Sequence, residues 1–314
     1  MGTTYHIKVV TGHFQSIAGL KEKIEKRLDE INQSMSTYIK TSEISRFNDL
    51  RQVGVKFKIS DDFFQVMSVA QEIYQLSDGA WDGTVNPLVD LWGFGRGGRR
   101  QDIPPKNQIA ALMPAVGFHH IDVIAPGYLI KKLETVTLDL SSIAKGYGVD
   151  QVAGVIRKEG FQNYLVEIGG EIFASGVRED GQQWRVGINR PRKDASVNDV
   201  YKVVRLQNKA FATSGDYRNF FEVDGIRYSH VIDPKTGYPV SSGVVSVSII
   251  AGSCTFADGL STAIMVMGLD KGIALVNRLG NVECLIVIEK QDGSLVDHYS
   301  AGFQTAVSGG KVQY

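Results

Sequence analysis

The sequence predicts a mixed α+β protein, in which helices and strands are interspersed without the regular alternation of a doubly wound parallel sheet. Two observations support this fold class. In the N-terminal third, apolar residues recur at three- and four-residue steps, which is typical of amphipathic helices. From residue 164 onward, short strand-like runs are separated by turn residues. A length of 314 residues allows one large domain or two closely packed lobes.

The N-terminal elements follow from hydrophobic periodicity. Residues 5–10 are strand-like, and a helix follows whose apolar positions are Ile17, Leu20, Ile24, Leu28 and Ile31. A second helix begins after the N-cap candidate Ser60 and ends at Gly79. Its predicted buried face consists of Phe64, Met67, Ala70, Ile73 and Tyr74.

Two segments between the helices and the strand-rich half read as loops. Residues 78–87 are too dense in turn residues for regular structure. Residues 93–106 carry Arg96, Arg99 and Arg100 among glycines. We interpret this second segment as a solvated surface loop, and the alternative is a mobile lid that contacts a phosphate.

The remaining elements are a helix that starts at Ser142, a series of strands and two late helices. The predicted strands are residues 164–168, 184–188, 200–206, 220–223, 226–230 and 244–250, and residues 284–289 close the sheet. Asp224-Gly225 predicts a tight hairpin between two of the strands. The late helices are expected near residues 255–267 and 270–279.

Composition excludes several classes of protein. Lys and Arg total 34 and are balanced by 34 Asp and Glu, so there is no basic surplus of the kind that nucleic-acid binding requires. No apolar run approaches the roughly 18 residues needed to span a bilayer. Cys254 and Cys284 lack metal-ligand spacing, and we expect two small core residues, with a single disulfide as the alternative. No Rossmann fingerprint, P-loop, H-E-x-x-H or G-x-S-x-G motif occurs.

The most informative segment is Leu138 to Tyr147, where an apolar strand runs into Asp139, Ser141, Ser142 and the start of a helix. A helix N-terminus carries unpaired N–H groups and partial positive charge, which suit a phosphate or a metal–phosphate pair. A serine that only caps the helix would produce the same pattern. The segment is therefore a candidate site with a structural alternative.

Asp258 and Thr262 form a second candidate site near the start of a helix. Residues four apart share one helix face, so a carboxylate and a hydroxyl converge there. Such oxygen donors suit Mg²⁺, which takes one or two carboxylates and completes its shell with water and substrate phosphates. The alternative is helix capping by Thr255 or Asp258.

His230 is a third candidate, because it ends a predicted hairpin strand just before a turn built on Asp233-Pro234 and Thr236-Gly237. A histidine at such a place can exchange a proton near neutral pH. The alternative is a hydrogen-bonded structural histidine.

Several blocks together resemble the ApbE family of FAD:protein FMN transferases in order and spacing over nearly the whole chain. These blocks are Met1-Gly2-Thr3, Ser36-Thr37-Tyr38, Asp78 to Asp82, Asp139 to Gly146, Gly169-Gly170, Thr213 to Arg218, His230 to Gly237 and Ala257 to Thr262. The resemblance implies a two-lobed α+β unit that spans residues 1–314 as a single flavin transferase domain. The sequence departs from the pattern at Glu171, where similar sequences more often carry Asn or Asp.

The resemblance also implies an activity. Members of the family bind FAD, split its pyrophosphate with Mg²⁺, and attach the FMN half to a threonine hydroxyl of another protein, releasing AMP. An FAD pyrophosphatase that uses water as the acceptor is the alternative. A flavin-binding carrier without turnover is another.

Site residues carry over from the resemblance position by position. Around FAD it implies Met1, Tyr38, Ala80, Trp81, Asp82, Asp139, Lys145 and Ile232. On the metal it implies Asp258 and Thr262, with an oxygen from the Ser142 region, and His230 as the base that activates the acceptor hydroxyl. Tyr38 or Trp81 could stack on a ring of FAD, and the alternative for Trp81 is core packing.

Partner and compartment are expected from the resemblance alone. Acceptors in the family are threonine-containing segments of outward-facing respiratory membrane subunits. We therefore expect this chain to act on the periplasmic side of the bacterial inner membrane, with an export signal or lipid anchor outside this sequence.

Overall fold

A seven-stranded sheet is the centre of the molecule. The computed structural model describes residues 2–12, 15–95, 102–196 and 199–303. Within them lie fourteen strands: β1 (Tyr5–Val9), β2 (Lys56–Lys58), β3 (Ile121–Ile124), β4 (Tyr128–Lys131), β5 (Tyr164–Ile168), β6 (Glu171–Ser175), β7 (Trp184–Asn189), β8 (Val200–Leu206), β9 (Lys209–Gly215), β10 (Phe220–Val223), β11 (Ile226–Ser229), β12 (Val244–Ala251), β13 (Glu283–Glu289) and β14 (Leu295–Tyr299).

Helices cover one side of this sheet and connect its strands. Those of the described ranges are α1 (Leu20–Met35), α2 (Glu43–Asp49), α3 (Asp61–Leu76), α4 (Asn86–Leu91), α5 (Lys106–Leu112), α6 (Ala144–Lys158), α7 (Cys254–Met267) and α8 (Leu269–Leu279). Short 3₁₀ turns occupy Met113–Ala115 and Phe118–His120. None of these helices combines the length and the apolar character that crossing a membrane requires.

The main sheet has the strand order β1-β5-β6-β9-β12-β13-β14, and its neighbouring strands pair antiparallel. Strand β12 lies between β9 and β13 and is buried along its whole length. Smaller sheets pair β2-β4-β3, β7-β8 and β10-β11. The α+β fold class is confirmed, because the structure consists of helices packed on sheets. Whether residues 1–314 form one domain stays a prediction.

Each face of the sheet has its own apolar core. On one face, Val247 and Ile249 of β12 pack with Leu260 and Ile264 of α7 and with α3 and α8. On the other face, residues such as Val245 and Leu285 pack against the β7–β8 ribbon, including Trp184. Cys254 and Cys284 are both buried and free, as expected from the sequence, so they form no disulfide.

Helices α6 and α7 cap each other through carboxylates. Asp150 of α6 accepts hydrogen bonds from the backbone N–H groups of Cys254 and Thr255, each at 2.9 Å, at the start of α7. In return, Asp258 Oδ2 of α7 accepts the backbone N–H of Gly146, near the start of α6, at 2.9 Å. Each helix therefore neutralises the partial positive charge and the unpaired donors at the other's N-terminus.

Gly146 allows this close approach. A Cβ at position 146 would overlap the carbonyl oxygen of Cys254 and lie 2.8 Å from Cβ of Asp258. Any larger residue would therefore push the two helices apart.

The structure corrects several sequence predictions. Helix α6 begins at Ala144 and its N-cap Ile143 makes no side-chain cap, so Ser142 does not start the helix. Helix α7 is capped by the Ser253 hydroxyl, and not by Thr255 or Asp258. The sheet ends at β14, which pairs with β13, so residues 284–289 are not its edge. Strands β6 and β9 were not predicted. Arg96, Arg99 and Arg100 of the predicted surface loop lie outside the described residues, so neither the loop nor its lid alternative is tested.

We expect Asp150→Ala to lower the free energy of unfolding by about 2–4 kcal/mol, because it leaves two N–H groups of α7 without their acceptor. Two hydroxyls, those of Ser253 and Thr255, lose the same partner. Urea denaturation measures the change. The exposed α1 residue Asp29 provides the control, since Asp29→Ala should cost less than about 0.5 kcal/mol. Equal effects of the two variants would contradict the capping role.

Candidate active site

A cavity of about 460 Å³ opens where the N-terminus of α6, helix α7, the end of β9 and the segment after β11 meet. We call it the main cavity. Ten of the predicted site residues line it: Ala80, Trp81, Asp82, Asp139, Ser142, Lys145, His230, Ile232, Asp258 and Thr262. The structure therefore brings together side chains from Ala80 to Thr262, which lie far apart in the chain.

A second cavity of about 600 Å³ lies beside it, and we call it the side cavity. It is lined by residues of α1, by Gly2 and by the loop that carries Tyr38. Asp139, Ser141 and Lys145 line both cavities, so the two spaces share a wall. Met1, which the resemblance assigns to FAD, lies outside the described residues.

The two aromatic residues predicted to stack on FAD differ sharply in exposure. Tyr38 is 80% exposed at the side cavity, so its ring is accessible to a planar ligand. Trp81 is only 1% exposed, and its ring packs edge-on against Phe118 at 5.9 Å. Its indole N–H donates to the Ser142 hydroxyl at 3.0 Å. Core packing, the structural alternative, therefore describes Trp81 better than stacking.

Asp82 uses its carboxylate to hold its own loop. Oδ1 accepts from the backbone N–H and the hydroxyl of Thr84 at 2.8 and 2.6 Å, and Oδ2 accepts from the Phe118 N–H at 2.9 Å. Burial raises the pKa of Asp82, although these hydrogen bonds oppose the shift. Asp82 thus borders the main cavity, while both of its carboxylate oxygens accept hydrogen bonds from other residues of the protein.

Asp139 orders the turn that leads into α6. Its Oδ1 accepts the backbone N–H of Ser141 at 2.8 Å, and its own N–H donates to the Gly83 carbonyl at 2.8 Å. These bonds join the turn before α6 to the loop that contains Asp82. The helix start that the sequence identified is therefore built into the cavity wall.

Lys145 lies between two buried carboxylates on the cavity wall. Its Nζ is 2.7 Å from Glu171 Oε1 and 3.5 Å from Asp258 Oδ1. Burial would lower the pKa of Lys145, but the charges of Asp258 and Glu171 outweigh it and raise that pKa. Lys145 therefore stays an ammonium ion that faces the cavity.

Glu171, which sequence reasoning noted only as a departure, is the second carboxylate of this cluster. It is 3% exposed, and its Oε2 has no hydrogen-bond partner within the described part of the chain. Burial raises its pKa to about 8, the charge of Asp258 adds to the shift, and Lys145 opposes it. The sequence signal that could have identified Glu171 as a site residue is a charged side chain at the start of the apolar run Ile172-Phe173-Ala174.

Three hydroxyl groups cluster at the cavity wall where β9 ends beside α7, the helix that carries Asp258. The Ser214 hydroxyl at the end of β9 lies 3.0 Å from Thr262 Oγ1 and 2.7 Å from the Ser261 hydroxyl. Ser214 belongs to a block that the sequence marked without giving this residue a role. Asp258 and Thr262 lie one turn apart and both face the cavity, as predicted.

These oxygen atoms match the donors that Mg²⁺ prefers. Among the described residues, Asp258 Oδ1 has only the long Lys145 contact, and Thr262 offers a hydroxyl on the same helix face. No group of three or more His, Cys, Asp and Glu side chains suited to a metal occurs in residues 2–12, 15–95, 102–196 and 199–303. A set of one carboxylate and hydroxyls is not such a cluster, and its chemistry fits a hard cation that also binds substrate phosphates.

His230 lines the cavity just after β11. The carbonyl oxygen of Asn219 accepts its backbone N–H at 3.1 Å and lies 3.3 Å from its Nδ1. Since a carbonyl can only accept, Nδ1 carries the proton and Nε2 keeps a lone pair. Burial lowers the pKa of His230, and the bond to Asn219 opposes the shift. The imidazole is therefore neutral at physiological pH and able to accept a proton.

Comparison with known proteins identifies the family and agrees with the fold. The chain matches the model of the ApbE family over residues 1–286. A FAD:protein FMN transferase of Vibrio cholerae serotype O1 is 41% identical over 309 residues, which cover 98% of this chain and 91% of the relative. Another, from Haemophilus influenzae, is 41% identical over 306 residues, with 96% and 88% covered.

A solved structure extends the likeness to three dimensions. The flavin transferase ApbE from Vibrio cholerae superposes with a TM-score of 0.88 at 40% identity, covering 97% of this chain and 96% of that one. On the family match, the identity and the shared fold, this chain belongs to the ApbE family.

Proposed function

We propose that this chain is a transferase that moves the FMN half of FAD onto a hydroxyl of a target protein and releases AMP. The observation that carries the proposal is the composition of the main cavity. One wall gathers Lys145, Asp258 and Thr262, which suit a cation-bound pyrophosphate, while His230 lines the same cavity with a free Nε2. The names of the relatives, FAD:protein FMN transferase, support the same reaction.

FAD is long and has two ring systems, and two cavities that share a wall offer space for such a molecule. Asp139, Ser141 and Lys145 lie at the shared wall, where the pyrophosphate between the two halves would pass. Tyr38 offers an accessible ring at the side cavity for stacking. Ala80, Asp82 and Ile232 border the main cavity, and Met1 remains an assignment by resemblance.

Asp258 and Thr262, with an oxygen from the Ser142 region, would hold Mg²⁺. When bound, the cation would neutralise charge on the pyrophosphate oxygens and on the departing AMP phosphate. Lys145 adds a fixed positive charge beside the same oxygens. The protein thus supplies both the donors for the cation and a cation of its own.

In the transfer step, the acceptor hydroxyl oxygen bonds to the phosphorus of the FMN half, and the phosphorus–oxygen bond to AMP breaks. His230 Nε2 takes the proton of the hydroxyl as the new phosphoester forms. We propose a threonine as the acceptor, in a segment of a respiratory membrane subunit on the periplasmic side of the inner membrane. Family resemblance supports this acceptor and this compartment. We propose no nucleic-acid partner, given the balanced charge.

One assay separates transfer from the two alternatives. The protein is incubated with FAD and Mg²⁺, with and without a candidate acceptor, and AMP, free FMN and in-gel protein fluorescence are followed. AMP with fluorescent acceptor supports transfer, and AMP with only free FMN supports hydrolysis. Bound but intact FAD would indicate a carrier and would refute the proposed reaction.

For Asp258, we expect replacement by Asn to abolish Mg²⁺-dependent AMP release, because the amide lacks the negative charge that attracts the cation. Asn can still accept the Gly146 N–H through its amide oxygen, so the fold should persist. Asp258→Ala loses this cap as well and should be less stable than Asp258→Asn by about 1 kcal/mol. Thermal denaturation and an AMP assay measure the two effects separately.

The exposed Asp270 of α8 is the matched control, and Asp270→Asn should leave AMP release unchanged. An Asp258→Asn enzyme that releases AMP at the rate of the unmodified protein would rule out the metal assignment.

For His230→Ala, we expect acceptor flavinylation to fall by about a hundredfold or more, the range of lost general-base catalysis. FAD affinity should change little, since the imidazole acts on the acceptor. In the unmodified protein the base is active above its lowered pKa, so the transfer rate should decline only as the pH falls below the ordinary histidine value of about 6.5.

Initial rates of in-gel fluorescence at a series of pH values, together with FAD titrations, measure these effects. His298→Ala, on the edge strand β14, is the control. A parallel loss of FAD binding and transfer in His230→Ala would make His230 a structural residue.

A further inference from the structure

The two faces of the β10–β11 hairpin carry different side chains. Its two-residue turn, Asp224-Gly225, has φ values of 52° and 74°, the left-handed pair that a tight hairpin needs. Phe221 and Tyr228 stack on one face against Trp92. Because side chains alternate along a strand, the residues Phe220 and Arg227 lie on the opposite face.

Arg227 ties this opposite face to the main sheet. Its Nη2 is 3.3 Å from Asp216 Oδ1, just after β9, and its Nη1 is 3.1 Å from Glu289 Oε2, the last residue of β13. The guanidinium also lies 4.1 Å from the centroid of the Phe220 ring. One side chain therefore connects the hairpin to the ends of two sheet strands. The Asp216 side chain is 10% exposed, so this contact is well shielded from solvent.

The same two chain segments meet again at His230. Asn219 lies three residues after Asp216, and His230 lies three residues after Arg227. The Asn219 carbonyl accepts the backbone N–H of His230 and holds its Nδ1. The Arg227–Asp216 ion pair and the Asn219–His230 contact therefore join the segment from Asp216 to Asn219 to the segment from Arg227 to His230 at both ends. If the ion pair opens, the segment from Asp216 to Asn219 loses its side-chain link to the hairpin, while the Asp216 N–H still donates to the Val245 carbonyl at 3.3 Å.

We propose that Arg227 is a positioning residue for the transfer reaction, which holds Asn219 against His230 so that Nδ1 stays protonated and Nε2 faces the cavity. This inference rests on the proposed function, in which His230 is the base. A guanidinium suits the task because it can bind two carboxylates at once in a fixed plane. Loss of Arg227 would let the imidazole exchange tautomers and turn away from the acceptor.

The test compares Arg227→Met, His230→Ala and the double variant with the unmodified chain. Methionine keeps an apolar contact with Phe220 and removes both ion pairs. In the unmodified background we expect Arg227→Met to slow acceptor flavinylation by about tenfold, with FAD affinity changed less than twofold. In the His230→Ala background the same change should have almost no further effect, because the residue acts through the imidazole.

Arg190→Met is the matched control. Arg190 also makes an ion pair, to Asp199 at 3.0 Å, and lies 5.3 Å from the ring centroid of Tyr201, outside the cavity. Its loss should leave flavinylation unchanged. Arg227→Lys, which can keep one ion pair but not the planar double contact, should recover part of the rate. If Arg227→Met does not fold, Asp216→Asn takes its place in the comparison of single and double variants, because it removes the carboxylate charge of the same ion pair.

A second measurement does not depend on catalysis. Long-range ¹H–¹⁵N NMR of the histidine rings, with His230 assigned from the His230→Ala spectrum, reports which ring nitrogen carries the proton. We expect the Nδ1–H form in the unmodified chain and a mixture of tautomers in Arg227→Met. An unchanged tautomer, or a tenfold loss that persists in the His230→Ala background, would overturn the positioning role. An unmodified chain that flavinylates no acceptor would instead refute the proposed function, while the tautomer measurement would still decide the role of Arg227.

Discussion

The exchange of caps between α6 and α7 is the interaction on which the site depends. Two helix N-termini, each with partial positive charge, would repel one another if they were brought together without counter-charges. Asp150 and Asp258 supply these charges across the helix pair, and each bonds to backbone N–H groups of the other helix. Hydrogen bonds to ionised groups contribute about 1.5–3 kcal/mol each, which is large beside the roughly 5–15 kcal/mol that typically stabilise a protein.

This arrangement gives Asp258 two tasks. Oδ2 is committed to the Gly146 N–H, and Oδ1 faces Lys145 and the main cavity. One oxygen of the carboxylate is therefore held by a structural hydrogen bond, while the other oxygen faces the main cavity. In the cluster around this carboxylate, Lys145 contacts both Asp258 and Glu171, which gives the ammonium carboxylate partners in a buried setting where unpaired charges are costly.

Much of the site could be predicted from the sequence because its residues lie in short blocks with recognisable local chemistry. The sequence correctly located the turn at Asp139 that leads into a helix, the i, i+4 pair Asp258 and Thr262, and the hairpin end at His230. The apolar strand predicted before Asp139 was wrong, because residues 136–140 are not in a strand. The convergence of these residues on one cavity depends on sheet order, which brings β9 and β12 together from distant parts of the sequence. Only the family resemblance anticipated that step.

What the sequence could not reveal were side chains whose partners are remote. Asp150 looks like an ordinary polar residue of α6, yet it is one turn from Gly146 on the same face, and its partners begin more than 100 residues later. Trp81 and Tyr38 were equally plausible as stacking residues, and only their burial separates them. Ser142 looked like a helix start because a serine before an apolar run usually caps, whereas here it receives the Trp81 indole N–H.

The glycine at position 146 limits how this family member can vary. Its missing side chain sets the distance between α6 and α7, and a single methyl group there would meet the Cys254 carbonyl. Most surface positions tolerate substitution, but at the buried position 146 only glycine fits. Substitutions at Lys145 or Thr262 can therefore change the chemistry of the cavity while the width between the helices, which Gly146 sets, stays constant.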